Sequence, residues 1–277
     1  MFARNYYTLV AGFRDYQLDA DHKGFDIAAI REEIAEQLSK GDLKAVELLY
    51  TYYDCENLCA QRAGRSAHNA LGNLSAEEIK AELKQPSLLP EKLCRVLRAF
   101  AAPEGEDAEL VSTSERFEKV LFEQYYALCA ESKCSFLREW ARFDCNLRNV
   151  AAAITARQLG RQIEEATVGE GEIVEQLHRS SAADFGLRGE LDYIDALIVA
   201  INDEQNLVEK EHKIDLIRWN KSVELSTFDY FDINAIIAYL TRVNIVARWA
   251  LLDPKRGRAM LDRIMAELDG KELVNKQ

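Results

Sequence analysis

The chain has 277 residues, 48% hydrophobic and 30% charged, with a formal net charge of −12. The composition is globular and long enough for a large core; four prolines and thirteen glycines are too few for a loop-heavy or all-β fold. An acidic chain repels nucleic-acid phosphates and anionic lipid, which argues against nucleic acid as a partner and favours a basic protein surface.

Cys55, Cys59, Cys94, Cys129, Cys134 and Cys145 form no Cys-x-x-Cys pair. The thiol spacing of a zinc site is absent, and the expectation is reduced, buried thiols in a cytoplasmic protein. The opening "MFARNYYTLVAGFRDYQ" has an apolar run that ends at Arg14 and Asp15, too short for a signal core or a membrane span. No other stretch approaches twenty apolar residues, so direct membrane insertion is not expected.

In chain order, "YYTLVAGF" reads as a short strand or a buried extended arm. Thereafter the period is helical. Ile27, Ile30, Ile34 and Leu38 step by three and four, with Asp26 as N-cap. Gly41 is expected to end that helix and Asp42 to cap the next, whose stripe is Leu43, Val46, Tyr50 and Tyr53. "LSAEEI" at 74–79 is a capping box of Ser75 and Glu78. Pro90 opens a helix over Leu93, Val96 and Leu97. "APEGEDAELVST", 102–113, reads as a flexible acidic loop, followed by a helix near 114–131.

Phe136, Trp140, Phe143, Leu147, Val150 and Ile154 predict one long helix over 135–163. Leu191, Ile194, Leu197, Ile198 and Ile201 mark a short buried helix, and Leu207, Ile214 and Ile217 begin another. Ile233, Ile236, Leu240, Val243 and Ala247 define a further one. Asp253 and Pro254 open a last helix with Leu261, Ile264 and Leu268. The expected class is all-α: one domain over 1–277, an elongated bundle of long packed helices with a short extended N-terminal segment.

The long helix carries Asp144, Asn146, Asn149 and Arg157 beside its apolar stripe. Phe-Asp-x-Asn recurs at 231–234, with Asp232 and Asn234, and suggests an internal pseudo-repeat. Buried polar side chains must find partners, so these six residues are read as structural ties between helices. Arg248 and Trp249 are a candidate protein interface. No phosphate loop and no Gly-x-Ser-x-Gly elbow is present.

The enzyme-like signal is a double Glu-x-x-His, Glu175 with His178 and Glu209 with His212, half of a di-iron signature on bundle helices. Such a site has to face the bundle interior. If Leu207, Ile214 and Ile217 form the inner face, Glu209 and His212 point to solvent. Neither a metal nor another cofactor is therefore expected.

"LRNVAAAITAR" resembles the helix motif of the C-type (also called d-type) subunits of V/A-type rotary ATPases, with Asp144, Arg148, Asn149, Val150, Ile154 and Arg157 at the matching positions. From "YYTLVAGF" to "INAIIAYLTRVNIVARWALLD" the chain also resembles a bacterial family of unassigned function whose members are encoded alongside V-type ATPase subunits. The second Phe-Asp-x-Asn segment lacks the Arg-Asn pair and has Ile236 and Ile237 instead. The resemblance implies an all-helical, funnel-shaped, non-catalytic subunit that seats the rotor shaft on the membrane ring and transmits torque. Its partners would be shaft and ring subunits, and it would be cytoplasmic, held at the membrane through the complex. The rival expectations are a metal-dependent helical enzyme using the two Glu-x-x-His pairs, and a stand-alone helical scaffold.

Overall fold

The computed structural model describes residues 4–18, 25–102, 116–203 and 206–251. Among these there are eleven α-helices and no strand. None of the described helices is long and apolar enough to cross a membrane. The expected last helix from Asp253, residues 103–113 of the acidic loop and His22 lie outside the described residues.

The N-terminal segment corrects the extended reading. Tyr7–Ala11 is a short helix, α1. The Tyr6 N–H donates to Phe231 O at 2.6 Å and Leu9 is buried, so tertiary anchoring decides the backbone where aromatic and β-branched composition favoured a strand.

Helix α2 spans Ile27–Gln37, with Asp26 accepting from the Ala28 and Ala29 amides. The cap of α3 (Lys40–Arg62) is Ser39, where Asp42 had been expected; the Ser39 hydroxyl accepts the Asp42 amide at 3.2 Å. Both residue types cap well, and Gly41 falls inside the first turn of α3. Asp42 instead accepts from the Ser39 and Tyr6 hydroxyls, which pins the N-terminal arm to α3. The Ser75–Glu78 capping box is present at α4 (Ala76–Glu82), and α5 (Glu91–Ala101) follows Pro90 with Leu93, Val96 and Leu97 buried.

After α6 (Phe117–Ala130) comes α7, Ser135–Gln158. It ends five residues short of the predicted boundary because Gly160 takes a φ of 63°. The Gly160 N–H bonds Arg157 O at 3.2 Å and the Arg161 N–H bonds Ala156 O at 2.8 Å, a Schellman stop. Helices α8 (Glu172–Arg179), α9 (Ile194–Ile201), α10 (Leu207–Leu225) and α11 (Ile233–Leu251) complete the described set.

Helix α7 is the central post. It packs against α6, α8, α9, α10 and α11, while α3 packs against α4, α6 and α11. One continuous apolar core runs from Leu9 through Tyr50, Leu121, Phe136, Leu147 and Leu197 to Ile236 and Ala247.

The two Phe-Asp-x-Asn segments do not play equivalent parts. Asp144 lies in the middle of α7, whereas Asp232 accepts the Asn234 and Ala235 amides at the start of α11. Asn146 is half-buried and has no hydrogen-bond partner among the described residues, whereas Asn234 is buried and fully engaged.

Candidate functional site

A cleft of ≈ 1710 Å³ opens between α3, α6, α7, α10 and α11. Its wall carries a chain of charges that starts at Asp144. The Asp144 carboxylate accepts from Arg148 Nε at 2.7 Å, Arg218 Nε at 3.2 Å and the Tyr126 hydroxyl at 3.2 Å. Arg218 donates onward to Asp215 at 3.1 Å. Asp215 also accepts Arg248 through both oxygens at 3.0 Å, and Trp249 Nε1 at 2.9 Å. Arg248 finally pairs with Glu211. Three carboxylates and three guanidiniums alternate and cancel, joining α7, α10 and α11, and the Tyr126 hydroxyl adds α6. The Arg148 guanidinium also lies 4.5 Å from the Tyr52 ring centre, which brings in α3.

Burial works to push the Asp144 carboxyl up. The guanidiniums of Arg148 and Arg218 outweigh it and hold the group below the ordinary carboxylate value. Asp144 therefore stays ionised in the wall of the cleft.

Of the other expected ties, Asn149, Arg157 and Asn234 also act between elements, whereas Asn146 makes no hydrogen bond among the described residues and Asp232 bonds only within the start of α11. Asn149 donates to Val168 O and accepts the Val168 N–H, both at 2.8 Å, so one side chain imitates a backbone pair and fastens the segment before α8 to α7. Arg157 donates to Ala182 O and Ser180 O at 2.7 and 2.8 Å and covers the Phe185 ring at 3.9 Å. Asn234 accepts from Phe136 N–H, Ser135 Oγ and Cys134 Sγ at the start of α7. Arg248 and Trp249 direct their polar groups inward to α10.

Sequence reasoning missed Asp215, Arg218 and Glu211. They recur at four- and three-residue steps on α10, which is a stripe, but a stripe of charges reads as a solvated face. It also missed a second tie: Asn57 donates to Asn69 O at 3.0 Å and accepts the Asn69 N–H at 2.6 Å, the same device as Asn149.

The assumed inner face of α10 is corrected. Leu207 is 70% exposed, while Ile214 is buried. Glu209 is exposed as expected, but His212 is half-buried with its ring 5.4 Å from that of Trp249. His178 Nε2 lies 2.8 Å from Thr167 Oγ1. Glu175 pairs with Arg179 and Glu209 with Lys213. No group of three or more His, Cys, Asp or Glu side chains close enough to hold a metal occurs among the described residues. All six cysteines are free thiols. Burial pushes Cys145, beside the cleft, up to about 12, and Cys134 up to about 11, so both are protonated near neutrality and poor nucleophiles.

A family model described as "Protein of unknown function (DUF2764)" matches residues 3–271. The chain belongs to that family. No curated protein and no solved structure matches it. The cleft and its charge chain lie wholly within the residues that the family model matches.

Proposed function

We propose that this DUF2764 chain is a non-catalytic subunit that receives a helical segment of a partner protein in the five-helix cleft. The observation that carries this reading is the size and lining of the cleft. Small-molecule pockets span roughly 300–1,000 Å³, and the cleft holds ≈ 1710 Å³. A cylinder of that volume with a helix diameter of ~10–12 Å is ~15–22 Å long, or some three to four turns. Tyr52, Tyr126 and Trp249 line it with broad amphipathic surface of the kind that anchors protein contacts. Its charges are already paired with one another, which supports a wall that accepts a partner over a site that polarises a substrate.

The resemblance of Asp144–Arg157 to the C/d-type subunit motif supports a particular occupant, the rotor shaft of a V-type ATPase, with the membrane ring as second neighbour. The protein would then sit in the cytoplasm, at the membrane only through the complex. Gentle solubilisation of native membranes tests this. The tagged protein should co-purify with shaft and ring subunits and hydrolyse no ATP alone. Recovery only as a free monomer would overturn it.

A further inference from the structure

A second, smaller pocket of ≈ 320 Å³ lies where the N-terminal arm crosses α11, and it shares no lining residue with the cleft. The Phe13 ring stacks on Tyr239 at 4.0 Å with an interplanar angle of 7°, giving the pocket a flat aromatic wall, and Val243 adds an aliphatic one. Arg14 and Arg242 both line it, and both lie close enough to the Tyr239 hydroxyl to act on it electrostatically.

Arg242 is the unusual member. It is half-buried in the middle of α11, yet its guanidinium makes no hydrogen bond or ion pair among the described residues. Asp15 and the Tyr239 hydroxyl are its electrostatic neighbours. Its five N–H donors are thus held at a pocket with no protein acceptor among the described residues. Burial drives this guanidinium below its ordinary value, outweighing the opposing pull of Asp15 and Tyr239. The Tyr239 hydroxyl is likewise without a hydrogen-bond partner among the described residues.

We propose that this pocket binds the carboxylate of a small organic monoanion, with Arg242 and Arg14 as its cationic partners, Tyr239 as hydroxyl donor, and Phe13 and Val243 against its apolar body. The charge of the ligand follows from the carboxylates that share the pocket with the arginines. Asp15 and Asp229 also line the pocket and offset part of the charge of Arg14 and Arg242, so a single carboxylate matches the remaining charge better than a dianion such as phosphate. The volume suits a ligand of one aromatic ring and a short acid arm.

The test uses the full chain near pH 7, with phenylacetate as probe, neutral phenylacetamide and inorganic phosphate as comparisons, and titration calorimetry as readout. Phenylacetate should bind with a Kd of about 1 mM or tighter. Phenylacetamide, phosphate and the Arg242→Gln variant with phenylacetate should each be weaker by about tenfold or more. Because Arg242 gives up no hydrogen bond, Arg242→Gln without ligand should melt no lower than the parent. If that variant does not fold, Arg14→Gln, an exposed position, should still weaken phenylacetate several-fold. No binding of phenylacetate at about 10 mM, equal binding of phosphate, or unchanged affinity in both variants would each overturn the proposal.

Discussion

The side-chain carbonyl of Asn234, on the first turn of α11, accepts the backbone N–H of Phe136, on the first turn of α7, at 3.1 Å. The residue at the N-cap position of α7, Cys134, makes no side-chain cap bond of its own. The central helix is therefore capped from another helix. Asn234→Ala should cost about 1–2 kcal/mol, the usual worth of a cap, read as a lower urea midpoint at unchanged slope. An unchanged midpoint would mean that the α7 terminus finds its partners elsewhere.

Asp144 and Asp232, alike in sequence, should differ sharply in consequence. Asp144→Ala takes from Arg148 its carboxylate partner and from Arg218, only 13% exposed, one of two, leaving it Asp215; groups left part-satisfied in this way cost about 2–3 kcal/mol. Asp232→Ala removes an N-cap from α11 and should cost about 1 kcal/mol. Equal losses in thermal unfolding of the two variants would contradict the assignment.

The same carboxylate sets an acid limit. The folded-state pKa of Asp144 lies below the ordinary value of 3.8. Its contribution to stability is therefore complete above that value and is lost as pH falls through the folded-state one. Urea midpoints taken between about pH 5 and pH 2.5 should fall more steeply for the parent than for Asp144→Asn, and should converge at the acid end. Parallel curves would show that other carboxylates govern acid unfolding.

The Tyr193 hydroxyl is buried with no hydrogen-bond partner among the described residues, while its ring packs edge-on against Phe143 at 5.1 Å. Tyr193→Phe keeps the ring and removes the orphan group. It should raise stability by about 1–2 kcal/mol, and a lower melting temperature would reveal a partner for the hydroxyl.

Cys145 is the least buried of the six thiols. With its pKa pushed up to about 12, its thiolate fraction at mildly alkaline pH falls by about 10³ relative to a free cysteine. Greater intrinsic nucleophilicity returns only part of that loss. Alkylation of the native protein should therefore be at least about tenfold slower than of the unfolded chain. Rapid single-site labelling would point to an activated thiol.

Where one apolar stripe dominated, the sequence was legible. The helical class, the body of α7, the Ser75–Glu78 box and the burial of Asp144 and Asn149 all follow from periodicity and from the need to satisfy polar groups inside a core. Helix α10 was not legible, because Asp215 and Arg218 turn inward by meeting Asp144 and Arg248, partners 33 to 74 residues away. Such pairing is invisible to a local pattern. The stop at Gly160 was legible in principle, since a glycine six residues beyond the last apolar step is a standard terminator. The pocket around Arg242 had no sequence signature, since Arg14 and Arg242 come together only when the arm crosses α11.

The bond between Asn234 and Phe136 spans 98 positions in the chain. A ribosome adding about 5–20 residues per second needs roughly 5–20 s to cover that interval. During that time the first turn of α7 lacks its cap from Asn234, and its face towards α11 stays uncovered to the end. The protein's architectural centre is thus completed by the last of the described helices to emerge, so the nascent chain, more than the finished fold, is the form in which this apolar post is exposed to other molecules.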